Sequence, residues 1–154
     1  MSEVQIKSSN YRTELEKNKV ISFVPGGNSM WPTLKNRGQS VIVQLKTQRL
    51  KPFDVAFYQR TNGDFVLHRV IEVTDFGYMM CGDSQLNLER VEESQVFGVM
   101  QAFYRKDKLI EVTDPDYIKE IQNWYGRKTR RKIRLKFFYL RNRIKKLFCK
   151  KEGK

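Results

Sequence analysis

Histidine is almost missing from this sequence, with one in 154 residues, and cysteine is scarce, with two. A lone imidazole cannot build a zinc site, and Cys81 and Cys149 fit no metal or disulfide framework. No metal and no cofactor are therefore expected, and a reducing, cytoplasmic setting is. No apolar run approaches the ~20 residues that a bilayer-spanning helix needs. The first 19 residues are polar and lack the apolar core of a secretory signal, so none is expected. There is no internal repeat and no low-complexity stretch. Acidic residues are missing from one region only. Residues 127–154 hold 14 Lys and Arg against the single acid Glu152, whereas the first 126 residues balance 16 basic against 16 acidic side chains. The net charge of +13 therefore sits in the tail.

What is present reads mainly as β. Ten Phe, seven Tyr and an apolar content of 40% allow a packed core in one domain with appendages. Residues 8–18 read as a short helix capped by Ser9 or Asn10. Strands are expected over 20–24, 39–45, 55–59, 65–73, 78–81, 95–103 and 108–112. Asn62-Gly63 marks a hairpin between the third and fourth, and residues 50–54 form a turn. Many short strands joined by turns argue a curved or partly closed β body. Helices are expected over 117–125 and about 128–149. This organisation divides into an N-terminal helical segment (1–19), a β domain (20–115) and a basic helical tail (116–154).

Three stretches could carry chemistry. Gly26-Gly-Asn-Ser29-Met-Trp-Pro32-Thr-Leu34 pairs glycines that permit sharp turning with a proline that stiffens the chain, and so presents the Ser29 hydroxyl from a fixed backbone. Such a turn also commonly just precedes a strand. A serine hydroxyl needs a base to become nucleophilic. The one histidine, His68, lies in the apolar strand Phe65-Val-Leu-His-Arg-Val-Ile71, on the face of Val66 and Val70. A core histidine bonded to backbone would look the same. Cys81-Gly-Asp83-Ser-Gln-Leu-Asn-Leu-Glu89-Arg-Val91 reads as a loop. It offers two carboxylates, Asp83 and Glu89, either of which could orient His68 and stabilise its cation; either could instead cap backbone or be solvated.

Taken together and in order, these stretches resemble the signal peptidase I family over roughly residues 20–104. Ser29-Met-Trp-Pro-Thr33 is similar to its serine box, Gly38-Gln-Ser-Val-Ile-Val43 to its Gly-Asp-x-Val strand, and Lys51-Pro-Phe-Asp-Val55 to its Lys-x-Gly-Asp-Val segment. His68-Arg-Val70 resembles its His-Arg-Val box, Gly82-Asp83 its Gly-Asp box, and Phe97-Gly-Val99 its closing strand. With His in place of Lys, the chain looks like the Ser/His, endoplasmic-reticulum-like branch. The resemblance implies a signal-peptidase-like β body, Ser29 as nucleophile, His68 as general base and acids at Asp83 and, conservatively changed, Glu89. It also implies the backbone N–H of Ser29 as an oxyanion donor and a preference for small residues before the cut. Gly27 stands where the commoner bacterial motif has an assisting serine. Members carry transmembrane anchors and no segment here can serve as one, so the chain looks closest to small anchorless bacterial relatives.

These implications lead to a serine endopeptidase acting on leader or precursor peptides in the cytoplasm or at the inner membrane face. The alternative is a catalytically silent relative that binds peptides or membranes. A self-cleaving repressor would need a Lys base and a DNA-binding domain, and residues 1–19 are too short for one. In the tail, Ile133, Phe137, Leu140, Ile144, Leu147 and Phe148 fall on one helical face among Lys and Arg. Such a helix suits an anionic bilayer surface, each near-surface cation adding ~1 kcal/mol, with Arg134, Phe137, Arg141, Ile144 and Lys145 as contacts. It could instead pack that face on the body. Nucleic acid is disfavoured, because the tail holds no motif for base readout and no stacking platform.

Overall fold

A computed structural model describes residues 11–34 and 38–149, with the side chains of 128 and 142–149 outside the description. The proposed caps Ser9 and Asn10 lie outside the described residues. The chain divides into two compact units, Met1–Tyr117 and Ile118–Lys154.

The first unit is mainly β, as the sequence predicts. It begins with α1 (Tyr11–Asn18), followed by β1 (Val20–Phe23), β2 (Val41–Leu45), β3 (Val55–Gln59) and β4 (Phe65–Thr74). Then come β5 (Gly77–Cys81), β6 (Glu89–Glu92), β7 (Val96–Arg105) and β8 (Lys108–Glu111). All eight strands join one antiparallel sheet in the order β1-β2-β7-β3-β4-β5-β6, with β8 paired to β7. The sheet is not closed: β1 and β6 end the path. The β3–β4 hairpin turns at Asn62-Gly63, where Gly63 takes a left-handed φ of 90°. β6 corrects the sequence reading, which had a loop there. Glu89-Arg-Val-Glu92 contains one apolar residue, so its alternation is too short to register, yet it pairs with β5 from Gly77↔Glu92 to Met80↔Glu89.

Both faces of the sheet centre are covered. On one, Tyr58, Val70, Tyr78, Met80 and Val91 form a buried cluster. On the other, Leu15 of α1 is fully buried, contributing roughly 1.5–3 kcal/mol. The ring of Tyr11 lies 4.7 Å from Phe23, 5.6 Å from Phe57 and 5.4 Å from Phe65. Gly98 makes this packing possible, since a Cβ there would stand 2.7 Å from Val43 Cγ1 and 2.8 Å from Leu15 Cδ2.

Helix α2 (Pro115–Gly126) starts where Asp114 caps it, its Oδ1 accepting from the N–H of Asp116 at 2.8 Å. In the second unit α2 runs on to Gly126 and α3 spans Lys128–Cys149. Ile121 and Trp124 of α2 are buried, and so are Leu135 and Phe138 of α3. Those two α3 residues are not on the expected apolar face. Ile133, Phe137 and Leu140 of that face stay 50%, 68% and 54% exposed. The side chains of Ile144 and Lys145 lie outside the described residues. Among the described residues, no helix is long and apolar enough to cross a membrane.

Candidate functional site

Ser29 sits in the turn after β1. Gly27 enters it with φ 80°, and the N–H of Trp31 donates to the carbonyl of Asn28 at 3.1 Å. Buried Met30 anchors the turn, and the N–H of Leu34 closes on its carbonyl at 2.9 Å. The Trp31–Pro32 bond is cis. The loop after β5 clasps the serine from the other side: the Ser84 N–H and hydroxyl donate to the Ser29 carbonyl at 2.8 and 3.1 Å. This approach needs Gly82, where a Cβ would lie 2.7 Å from the Ser29 carbonyl oxygen. Neither the hydroxyl nor the N–H of Ser29 has a hydrogen-bond partner among the described residues.

His68, 2% exposed on β4, lines the same cleft of about 720 Å³ as Ser29. Register explains its surroundings. His68 faces Ala56 across the hairpin and Tyr58 faces Val66, so His68 and Tyr58 share one sheet face. Glu89 reaches that face from β6. The Tyr58 hydroxyl lies 3.1 Å from His68 Nδ1 and donates to Glu89 Oε2 at 2.9 Å. Glu89 Oε2 itself is 3.6 Å from Nδ1. Arg60 grips Glu89 with two bonds of 2.6 Å and holds its carboxyl below the ordinary range.

This network sets the state of the imidazole. Glu89 is ionised and can only accept, so the single Tyr58 proton goes to it. The Tyr58 oxygen then accepts from Nδ1–H, and Nε2 keeps its lone pair. Burial pushes the imidazole down to about 4, against an upward pull from Glu89, so His68 is neutral at pH 7. No hydrogen bond joins Ser29 Oγ to Nε2 among the described residues; contacts of this kind are often long before substrate binds.

Asp83 is elsewhere. Alternation turns Arg69 to the opposite face from His68, and Arg69 pairs across β4–β5 with Cys81, two residues before Asp83. Arg69 and Asp83, 1% and 0% exposed, form a buried bidentate pair at 2.7 Å on both arms. The Thr33 hydroxyl donates to the same carboxylate at 2.5 Å, and Arg69 also donates to the Phe53 carbonyl at 2.8 Å. Of the two acids the sequence offers, Glu89 therefore approaches His68, while Asp83 ties the serine turn to β4. Sequence reasoning missed Tyr58 and Arg60. The Asn62-Gly63 hairpin was the available signal, because its register sets Tyr58 diagonally beside His68.

No protein-family model matches the chain, no curated protein matches it, and no solved structure matches its fold.

Proposed function

We propose that the protein is a serine endopeptidase in which Ser29 is the nucleophile and His68 the general base. The observation that carries this reading is a neutral, buried imidazole with its Nε2 lone pair free, lining one cleft with an unpartnered serine hydroxyl. Ser29 Oγ attacks the substrate carbonyl carbon and its proton passes to Nε2. The tetrahedral oxyanion is met by the free N–H of Ser29. Nε2 then protonates the departing amine, leaving an acyl-enzyme that water hydrolyses by the same route. Throughout, Nδ1–H stays on Tyr58, and the Glu89 carboxylate stabilises the transient imidazolium.

Two further observations support a signal-peptidase-like reading. Phe53, which stands where that family has glycine, takes a left-handed φ of 76°. β4 pairs with β3 along Phe65–Arg69 but with β5 only from Arg69 onward, which leaves one edge of Phe65–His68 open to an extended peptide. Leader or precursor peptides are the substrates this arrangement suits. Gly27, at φ 80°, strains any side chain and so supplies no second hydroxyl to the oxyanion.

Digestion of a diverse peptide library, read by mass spectrometry, tests the proposal. Cuts made by the wild type and lost in both Ser29→Ala and His68→Ala are expected. Cuts that survive in either variant overturn it. The absence of a direct Ser29–His68 hydrogen bond favours the second reading, a peptide-binding relative without turnover; retained library binding with no cut at all would establish that instead.

A further inference from the structure

We infer that α3 is a membrane-surface helix that lays its exposed stripe into the interface of an anionic bilayer. The peptidase reading does not use this part of the chain. At about 100° per residue, Ile133, Phe137 and Leu140 project within a narrow sector of α3. All three are exposed, Phe137 by 68%, although Leu135 and Phe138 on the opposite side are buried. The helix thus has one apolar side that is satisfied and another that meets water. By sequence position alone, Ile144, Leu147 and Phe148 fall in the same angular sector.

Charge selects the occupant. Helix α3 carries ten Lys and Arg and no acid. Of the six whose side chains are described, five border the stripe and Arg131 lies on the far side. Arg130, Arg134 and Arg141 project roughly 60–100° to one side of it, and Lys132 and Lys136 by the same amount to the other. That places a row of cations along each border, where long side chains reach up from the acyl boundary to lipid phosphates while their stems stay apolar. A second copy of the same helix would bring ten like charges against ten. A nucleic acid would engage the cations but leave the phenyl and aliphatic stripe in water. An anionic lipid surface satisfies both features at once.

Flotation of the full chain with vesicles tests this. The vesicles are phosphatidylcholine alone, or phosphatidylcholine with three-tenths phosphatidylglycerol. Binding is expected only to the anionic vesicles, weakening about fivefold for each border cation replaced, as in Arg134→Gln or Arg141→Gln. The variant carrying Ile133→Ser, Phe137→Ser and Leu140→Ser is expected to bind at least roughly tenfold more weakly. These positions are exposed, so circular dichroism should show an intact fold. A Phe137→Trp probe should shift to the blue on binding. Full binding by the triple-serine variant would overturn the inference, reducing it to charge attraction. So would equal binding to neutral vesicles, or tighter binding to an RNA duplex than to the anionic vesicles.

Discussion

The Tyr58 hydroxyl stands between the only histidine and its nearest carboxylate, 3.1 Å from His68 Nδ1 and 2.9 Å from Glu89 Oε2. A phenol in this place does what a directly bonded acid does elsewhere: it fixes the tautomer and leaves the Nε2 lone pair free. Tyr58→Phe removes the acceptor and leaves Nδ1–H buried without a partner, which costs about 1–3 kcal/mol. On a peptide found by library digestion, kcat should fall roughly ten- to hundredfold with KM little changed. An unaltered kcat would show that the tyrosine is only core.

The two acids should separate in opposite ways. Asp83→Asn strands a fully buried guanidinium and is expected to cost on the order of 3–5 kcal/mol in denaturant unfolding. Glu89→Gln touches a pair that is partly open to solvent, worth about 1 kcal/mol or less. Its effect should fall on turnover, lowered roughly tenfold. If Asp83→Asn left stability unchanged and removed turnover, the roles assigned to the two carboxylates would be reversed.

Folding stability should depend on pH through His68. Its folded value, about 4, lies below the ordinary value of the unfolded chain. Between roughly pH 6.5 and 4 the unfolded state therefore binds a proton that the folded state does not. Stability must fall as pH drops through that window, by on the order of 3 kcal/mol, and the slope ends below about pH 4. In His68→Gln this part of the pH dependence should vanish. Urea unfolding at several pH values measures it, and an unchanged slope in the variant would place the effect on other groups.

Phe53 is held at φ 76° by the turn it closes, its N–H bonded to the Val70 carbonyl at 2.8 Å and its own carbonyl to Arg69. A left-handed non-glycine residue costs about 1–2 kcal/mol, and the side chain is 46% exposed. Phe53→Gly is therefore expected to leave stability unchanged or raise it by up to about 1 kcal/mol, since glycine also frees the unfolded chain. A clear loss in thermal or denaturant unfolding would mean that the ring itself packs on something essential.

Much of this was legible in residue order. The strands around Val55–Gln59 and Phe65–Thr74 carry strong apolar runs, and Asn62-Gly63 sets their pairing. What escaped was whatever depends on register between distant strands. Glu89 joins a strand that has almost no apolar signature, so only pairing with β5 reveals which face it serves. Tyr58 looks like any other core residue in a run of four buried positions. Asp83 follows the strand that pairs with Arg69, and the alternation of β4 then separates it from His68. In α3 the period identified one apolar face, but Leu135 and Phe138 show that burial chose the other side.

If a buried, neutral His68 takes the proton of Ser29, as we propose, the pH profile of kcat/KM carries its signature. For the best library peptide, activity should be undiminished at pH 5.5, with an acid limb near pH 4 and no activity in His68→Ala at any pH. An acid limb near 6.5, or a profile that His68→Ala leaves in place, would contradict it.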